Sequence, residues 1–169
     1  MSDIRLEKWS QEDKFRLNAL CNSIDRSFLS DRIPYPYTDR DAEDWLSMVS
    51  ELDGKEGIFR AIKHGGRIIG NISVEKKTDI YRLDGEIGYF LLDEYKGQGI
   101  MTEAVSRICE LAFSELDICR ITGLVFAENP ASARVLEKNG FELEGRMKQA
   151  VIKNGILHDL LIWGRVKTA

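Results

Sequence analysis

Leu91-Leu92-Asp93-Glu94-Tyr95-Lys96-Gly97-Gln98-Gly99-Ile100-Met101-Thr102 joins the apolar end of a strand to the start of an amphipathic helix. The first amides of a helix have no carbonyl partner and carry the positive end of its dipole. Gly97 and Gly99 allow backbone angles that turn several amides toward one point, which suits a phosphate or pyrophosphate. A plain glycine turn would look the same locally. Other phosphate motifs fit worse: a dinucleotide fingerprint starting at Gly97 has Thr102 where a third small residue belongs, and no Gly-x-x-x-x-Gly-Lys-Ser/Thr run occurs.

Outward from that corner, periodicity orders the chain. Upstream, Ile4, Leu6 and Trp9 suggest a strand and Gln11 to Asn22 a helix; Ser27 to Thr38, with Pro34 and Pro36, reads as loop. Thr38 or Asp39 caps a second helix carrying Ala42, Trp45, Leu46 and Val49. Ile58 to Lys63 and Arg67 to Val74 flank His64-Gly65-Gly66 as a hairpin, and Arg82 to Leu92 is the strand leading into the corner. Downstream, Met101, Ala104, Val105, Ile108, Leu111, Ala112 and Leu116 form one helical stripe, and Ile118 to Phe126 a strand. Asn129 to Asn139 is a helix with Asn129 at its N-cap, Pro130 in its first turn and Gly140 beyond its end. Phe141 to Lys153 and Ile156 to Val166 form a last hairpin around Asn154-Gly155. Hairpins followed by β-α-β-α-β-β give a mixed sheet with helices packed on it.

Composition narrows the class. The chain has 169 residues, 43% hydrophobic and 31% charged, with 24 basic and 28 acidic side chains and a net charge of -4. That is the profile of a globular chain long enough to bury a core, and the charge balance disfavours nucleic acid as main partner. No run reaches the length of a membrane span and the polar start lacks a signal peptide's apolar stretch, so no membrane contact is expected. Cys21, Cys109 and Cys119 are odd in number and unpaired in spacing. Neither a disulfide framework nor a metal site follows, and a reducing cytoplasm fits.

Lys96-Gly97-Gln98-Gly99-Ile100-Met101 resembles the coenzyme A pyrophosphate loop of GNAT acetyltransferases, Gln/Arg-x-x-Gly-x-Gly/Ala, with Lys96 and Met101 departing from it. Asn129 to Phe141 resembles the family's Asn-x-x-Ala/Ser helix ending in Glu-Lys-x-Gly-Phe, and Glu86-Ile87-Gly88-Tyr89 matches the RimJ/RimL-like branch. The similarity runs from about Leu6 to near the C-terminus. It implies one domain over residues 1–169 with an α/β, GNAT-like acyl-CoA N-acyltransferase fold: a central mixed, mostly antiparallel sheet flanked by helices.

By the same resemblance acetyl-CoA is co-substrate, no metal is needed, and the acceptor is an amine on a protein N-terminus or a small molecule; a homodimer is left open. Phe90, Leu91, Lys96, Gly97, Gln98, Gly99, Ile100, Met101, Thr102, Asn129, Ser132 and Arg134 would then meet the cofactor, with Lys138 near its adenosine phosphates. Leu91's amide would receive the oxyanion.

The reaction sets two tasks. A lysine-like amine with pKa ~10.4 must be deprotonated at a cost of ~4–5 kcal/mol at pH 7, whereas a thiol with pKa ~8.5 leaves for only ~2 kcal/mol. The base therefore matters more than the acid. Glu86 stands before the apolar half of its strand and is the candidate base; it would equally pass as a solvent-facing carboxylate. His158-Asp159 is the rival, but strand neighbours point to opposite faces, so only one of the two can serve the cleft. Many GNAT enzymes place an acidic tyrosine where this chain has Leu136; the RimL-like pattern offers Ser132 instead, which would also serve as a helix-surface residue.

On the acceptor side Tyr35, Tyr37 and Asp159 are candidate substrate contacts, with Trp45 favoured as core. Asp39, Asp41, Glu43 and Asp44 either attract a cation or favour a helix start. A non-catalytic acyl-CoA-binding sensor or interaction module is the alternative function.

Overall fold

The computed structural model describes residues 3–169. Its strands and helices follow in the order β1 (Ile4–Lys8), α1 (Lys14–Ser23), α2 (Asp39–Leu52), β2 (Gly57–His64), β3 (Arg67–Lys76), β4 (Asp84–Leu91), α3 (Ile100–Glu115), β5 (Arg120–Phe126), α4 (Pro130–Lys138), β6 (Glu142–Lys153) and β7 (Ile156–Val166). Local chemistry explains most boundaries. At the start of α2, Thr38 Oγ1 accepts the Asp41 amide at 3.1 Å while the Asp41 carboxylate accepts the Thr38 amide at 2.9 Å. Gly65 and Gly66 (φ +56° and +78°), then Asn154 and Gly155 (φ +51° and +78°), make the two-residue hairpin turns.

The helix expected over 11–22 begins one turn late: Gln11–Asp13 is 3-10, and the Asp13 carboxylate accepts the Ser10 amide at 3.0 Å. That contact tightens the first turn. Another 3-10 turn, Asp79–Tyr81, precedes β4, so that strand is shorter than the apolar pattern suggests.

All seven strands form one sheet in the order β1-β2-β3-β4-β5-β7-β6. Every neighbouring pair is antiparallel except β4–β5. On one face, Trp45 of α2 meets Trp9 and Phe59 edge-on at 5.5 and 6.3 Å, so Trp45 packs, partly buried, against the core. On the other face lie α3 and α4, tied together by the Asn139 side-chain amide donating to Thr102 O at 3.1 Å. Residues 57–62 of β2 are buried throughout because helices cover both faces there. Fully buried Ile58, Ile62, Ile72, Ile108 and Ile121 are each worth about 1.5–3 kcal/mol of apolar burial. Among the described residues no helix is long and apolar enough to cross a membrane.

Candidate active site

The parallel pair in the middle of the sheet is incomplete. β4 and β5 are in register from Asp84↔Arg120 to Ile87↔Gly123 and no further. Beyond that point β4 stays with β3 through Gly70↔Leu91, and β5 stays with β7 through Phe126↔Leu160. The two arms therefore part into a fork with its vertex at Ile87 and Gly123. The Leu92 amide donates to Ile69 O at 2.9 Å, which fixes the alternation along β4. Even-numbered residues turn their N–H and C=O groups to β3, so those of Tyr89 and Leu91 face the fork.

The strand then runs through a 3-10 turn, Asp93–Tyr95, into the glycine corner. Gly97 and Gly99 adopt φ +75° and +79°, and a Cβ on either would meet nothing within 4 Å. Among the described residues, no hydrogen bond takes up the amides of Gly97 through Thr102; the first helical bond of this corner is Glu103 N to Gly99 O at 3.2 Å. Six backbone donors thus stand at the positive end of a 16-residue helix beside open space. Lys96 pairs with Asp93 at 2.7 Å and is half exposed, and the Gln98 side chain donates back to Glu94 O at 3.1 Å.

At the fork's vertex sits α4. Asn129 Oδ1 accepts the Ser132 amide at 3.3 Å, the expected cap. Tyr89, from β4, brings its hydroxyl to 2.6 Å from Ser132 Oγ and 3.4 Å from Ser132 O. Burial pushes the Tyr89 phenol up to about 12 despite the serine hydrogen bond. Leu136 is buried: a Cβ on Gly123 would lie 2.7 Å from its Cδ1 and 3.4 Å from Ile87 Cγ2. The leucine occupies the space that the glycine leaves. Arg134 and Lys138 are exposed on α4.

Strand alternation divides the fork. Tyr89 and Ile87 face α4; Glu86 and Phe90 face the opposite side, shared with Asn71, Ser73 and Glu75 of β3. Glu86 is half-buried and lies directly across from Glu75 and beside Thr122. Over this side runs the segment between α1 and α2, touching several strands. Arg32 reaches Glu75 at 3.9 Å, Phe28 stacks on Phe126 at 5.5 Å, and Asp31 pairs with Lys153 at 2.7 Å. Beneath it, Arg26, Asp31, Tyr35 and Lys153 help line a polar cavity of about 560 Å³.

Of the expected acceptor residues, Tyr35 alone lines this cavity, 71% exposed with the Arg26 guanidinium 5.0 Å from its ring. Tyr37 is 7% exposed, its amide donating to Asn22 and its hydroxyl to Asp41 O. Asp159 has both oxygens engaged, by Arg146 Nε at 2.7 Å and the Gln149 amide at 2.8 Å. These bonds, the backbone one first, hold its carboxyl below the usual range. His158 faces Phe126, 5.2 Å between rings, and its Nδ1 lies 3.2 Å from Glu128. The acidic run in the first turns of α2 is engaged locally: Asp41 in the cap, Asp39 by Asn18, Glu43 by Lys14 and Asp44 near Arg40. The sequence reading missed Tyr89 as a hydroxyl partner, Phe28 with Phe126, and the Glu128–His158 pair. Only Tyr89 had a local signal, its alternation with Glu86 on one strand.

A sheet forked between two parallel strands, with one arm leading to an uncapped helix N-terminus, defines an α/β protein with an open cleft that ends at backbone donors. The Acetyltransferase (GNAT) domain family matches residues 3–142, and the chain belongs to that family. It is 32% identical over 124 residues to the putative ribosomal N-acetyltransferase YdaF of Bacillus subtilis, covering 73% of this chain and 66% of the relative. It is 31% identical over 99 residues to the ribosomal-protein-serine acetyltransferase of Escherichia coli, covering 59% and 55%. The chain thus spans just under two thirds, and just over half, of the length of these curated relatives. The structure of RimL, a ribosomal L7/L12 N-terminal acetyltransferase in complex with coenzyme A, superposes with a TM-score of 0.85 at 24% identity, over 96% of this chain and 93% of that one.

Proposed function

We propose that this chain is an acetyl-CoA-dependent N-acetyltransferase acting by direct attack in a ternary complex. The observation that carries the reading is the fork that ends at six amides without a partner among the described residues. The diphosphate rests on Gly97 to Thr102, with Lys96 and Arg134 supplying positive charge nearby. Pantetheine lies along β4, bonded to the inward groups of Tyr89 and Leu91 as an added strand would be, with Phe90 between them and Asn129 opposite. The thioester then sits in the fork beside β4, short of the vertex. Leu91's amide is the oxyanion donor, Glu86 takes the amine proton directly or through water, and Ser132 donates a hydrogen bond to the departing thiolate.

Direct attack agrees with the cysteines. Burial pushes the thiols of Cys21 and Cys109 up to about 12 and about 11, and Cys119 lies beside the start of β5, at the end of the strand away from the fork. None is an activated thiolate at the vertex. The acceptor enters under the α1–α2 segment, and the likeness to ribosomal-protein acetyltransferases favours a protein N-terminus. A sensor that binds acyl-CoA without turnover is the second reading, favoured by Leu136, which fills with a buried aliphatic the place of the tyrosine acid.

Incubation with acetyl-CoA and a mixed pool of peptides and small amines, followed by mass spectrometry, should yield an acetylated product. Tight acetyl-CoA binding with no product from any acceptor would favour the sensor. Glu86→Gln is expected to lower kcat on the order of 100-fold or more with the KM for acetyl-CoA unchanged; an unaltered kcat removes Glu86 as base.

A further inference from the structure

Tyr89 addresses the fork twice. Its peptide groups face the gap between β4 and β5, while its side chain crosses to α4 and ends 2.6 Å from Ser132 Oγ. Among the described residues both hydrogen-bond partners of its hydroxyl, at 2.6 and 3.4 Å, belong to Ser132. A serine hydroxyl at the third position of a helix ordinarily rotates among several acceptors. Here one neighbour removes that freedom.

Which oxygen donates follows from acidity. A phenol gives up a hydrogen bond more readily than an aliphatic alcohol, and the carbonyl at 3.4 Å is too far to compete with an oxygen at 2.6 Å. The phenolic proton therefore points at Ser132 Oγ. The serine accepts it and keeps its own proton for a third party, polarised by the bond it has just received. The phenol stays protonated across the working range because burial pushes it up to about 12, so it acts through the serine and never as an anion.

We propose that Tyr89 is the positioning residue for Ser132, fixing its hydroxyl so that the serine proton points into the fork at the sulfur of the bound thioester. The inference rests on the reading of the fork as the pantetheine channel. During transfer the amine nitrogen bonds to the acetyl carbon and the carbon–sulfur bond breaks. The amine proton passes to Glu86 or water, and sulfur leaves as thiolate under the Ser132 hydrogen bond, taking its proton later from solvent. Neither hydroxyl loses its proton. Leu136 needs no replacement in this arrangement, since the phenol arrives from the strand and the hydroxyl from one turn earlier on α4.

The test uses product coenzyme A and needs no acceptor. Wild type, Tyr89→Phe, Ser132→Ala and the double variant are saturated with coenzyme A. Thiolate absorbance is followed against pH, with the desulfo-coenzyme A complex as blank, and calorimetry and thermal melts run alongside. A hydrogen bond to an anion supports a difference of about one pH unit, or tenfold in thiolate fraction. Tyr89→Phe should raise the bound thiol's titration point by that amount, Ser132→Ala should do the same, and the double variant should do no more. Affinity and melting should change little, because Phe keeps the ring in place. A Tyr89→Phe thiol that titrates with wild type, or shifts that add in the double variant, overturns the inference while leaving the fork reading intact. Failure of wild type to bind coenzyme A removes the fork reading itself, and calorimetry reports that separately.

Discussion

Gly97 and Gly99 turn the chain from β4 into α3 with left-handed backbone, and the space over both is open. A side chain at Gly99 is therefore opposed by conformation rather than by collision. Gly99→Val is expected to cost about 1–2 kcal/mol, a Tm drop of about 2–8 °C for a chain of this size, and to weaken coenzyme A binding at least tenfold by calorimetry. Gly99→Asn should fall between the two, since Asn tolerates that region. Equal affinity across the series would separate the turn from the ligand. Such residues were legible in the sequence because their demands are local: the glycines at a strand-to-helix corner, Asn129 as a cap, and Thr38 as one of two candidate caps for α2. Tyr37 was not. Its neighbours Pro36 and Thr38 mark a loop, and only the side chains of Asn18 and Asn22, from α1, draw its backbone into the core.

Helices and strands were readable from period and punctuation; their neighbours were not. Nothing in the last hairpin's own sequence announces that β7, rather than β6, pairs with β5, because strand order is decided by long-range packing. The same limit hid the reason for Leu136. On α4 it reads as a missing tyrosine, whereas against β5 it is the filling for Gly123. Leu136→Tyr is accordingly expected to overpack the vertex and destabilise by about 1–3 kcal/mol without raising kcat, measured by denaturant unfolding and steady-state rates. A gain in kcat would show that the place still accepts an acid. Asp159 also has a role fixed by its element. Its carboxylate holds the irregular stretch of β6 where Gln149 takes φ +50°. Because the native state keeps this carboxyl below its ordinary value, the stability it contributes is present above the unfolded pKa of about 3.9 and is lost as pH falls through the folded one. Asp159→Ala should therefore melt below wild type at pH 7, and the two melting curves should converge in acid. A gap that persists there would assign the loss to packing.

Across the whole molecule the sheet separates two approaches to one vertex. In the function we propose, the ligand with the anionic end enters from the α3–α4 face, where Tyr89 and Ser132 meet, and the amine enters from the face of Glu86. The α1–α2 segment closes the second approach by gripping β3, β5 and β6 through Arg32, Phe28 and Asp31. The sequence marked this segment as loop but could not show what it spans, since each grip joins residues far apart in the chain. Asp31 is 83% exposed while Lys153 is nearly buried, so their bond fixes where the segment lies more than how stable the fold is. Asp31→Ala should change stability by less than about 1 kcal/mol, yet raise the KM of whichever amine the product analysis identifies severalfold, with coenzyme A affinity unchanged. Raised salt should weaken wild type toward the variant, because a pair whose carboxylate is open to solvent is screened, while the variant itself responds less. If coenzyme A binding falls along with amine binding, the segment cannot be a wall of the acceptor side alone, and the two faces of the sheet do not divide the substrates.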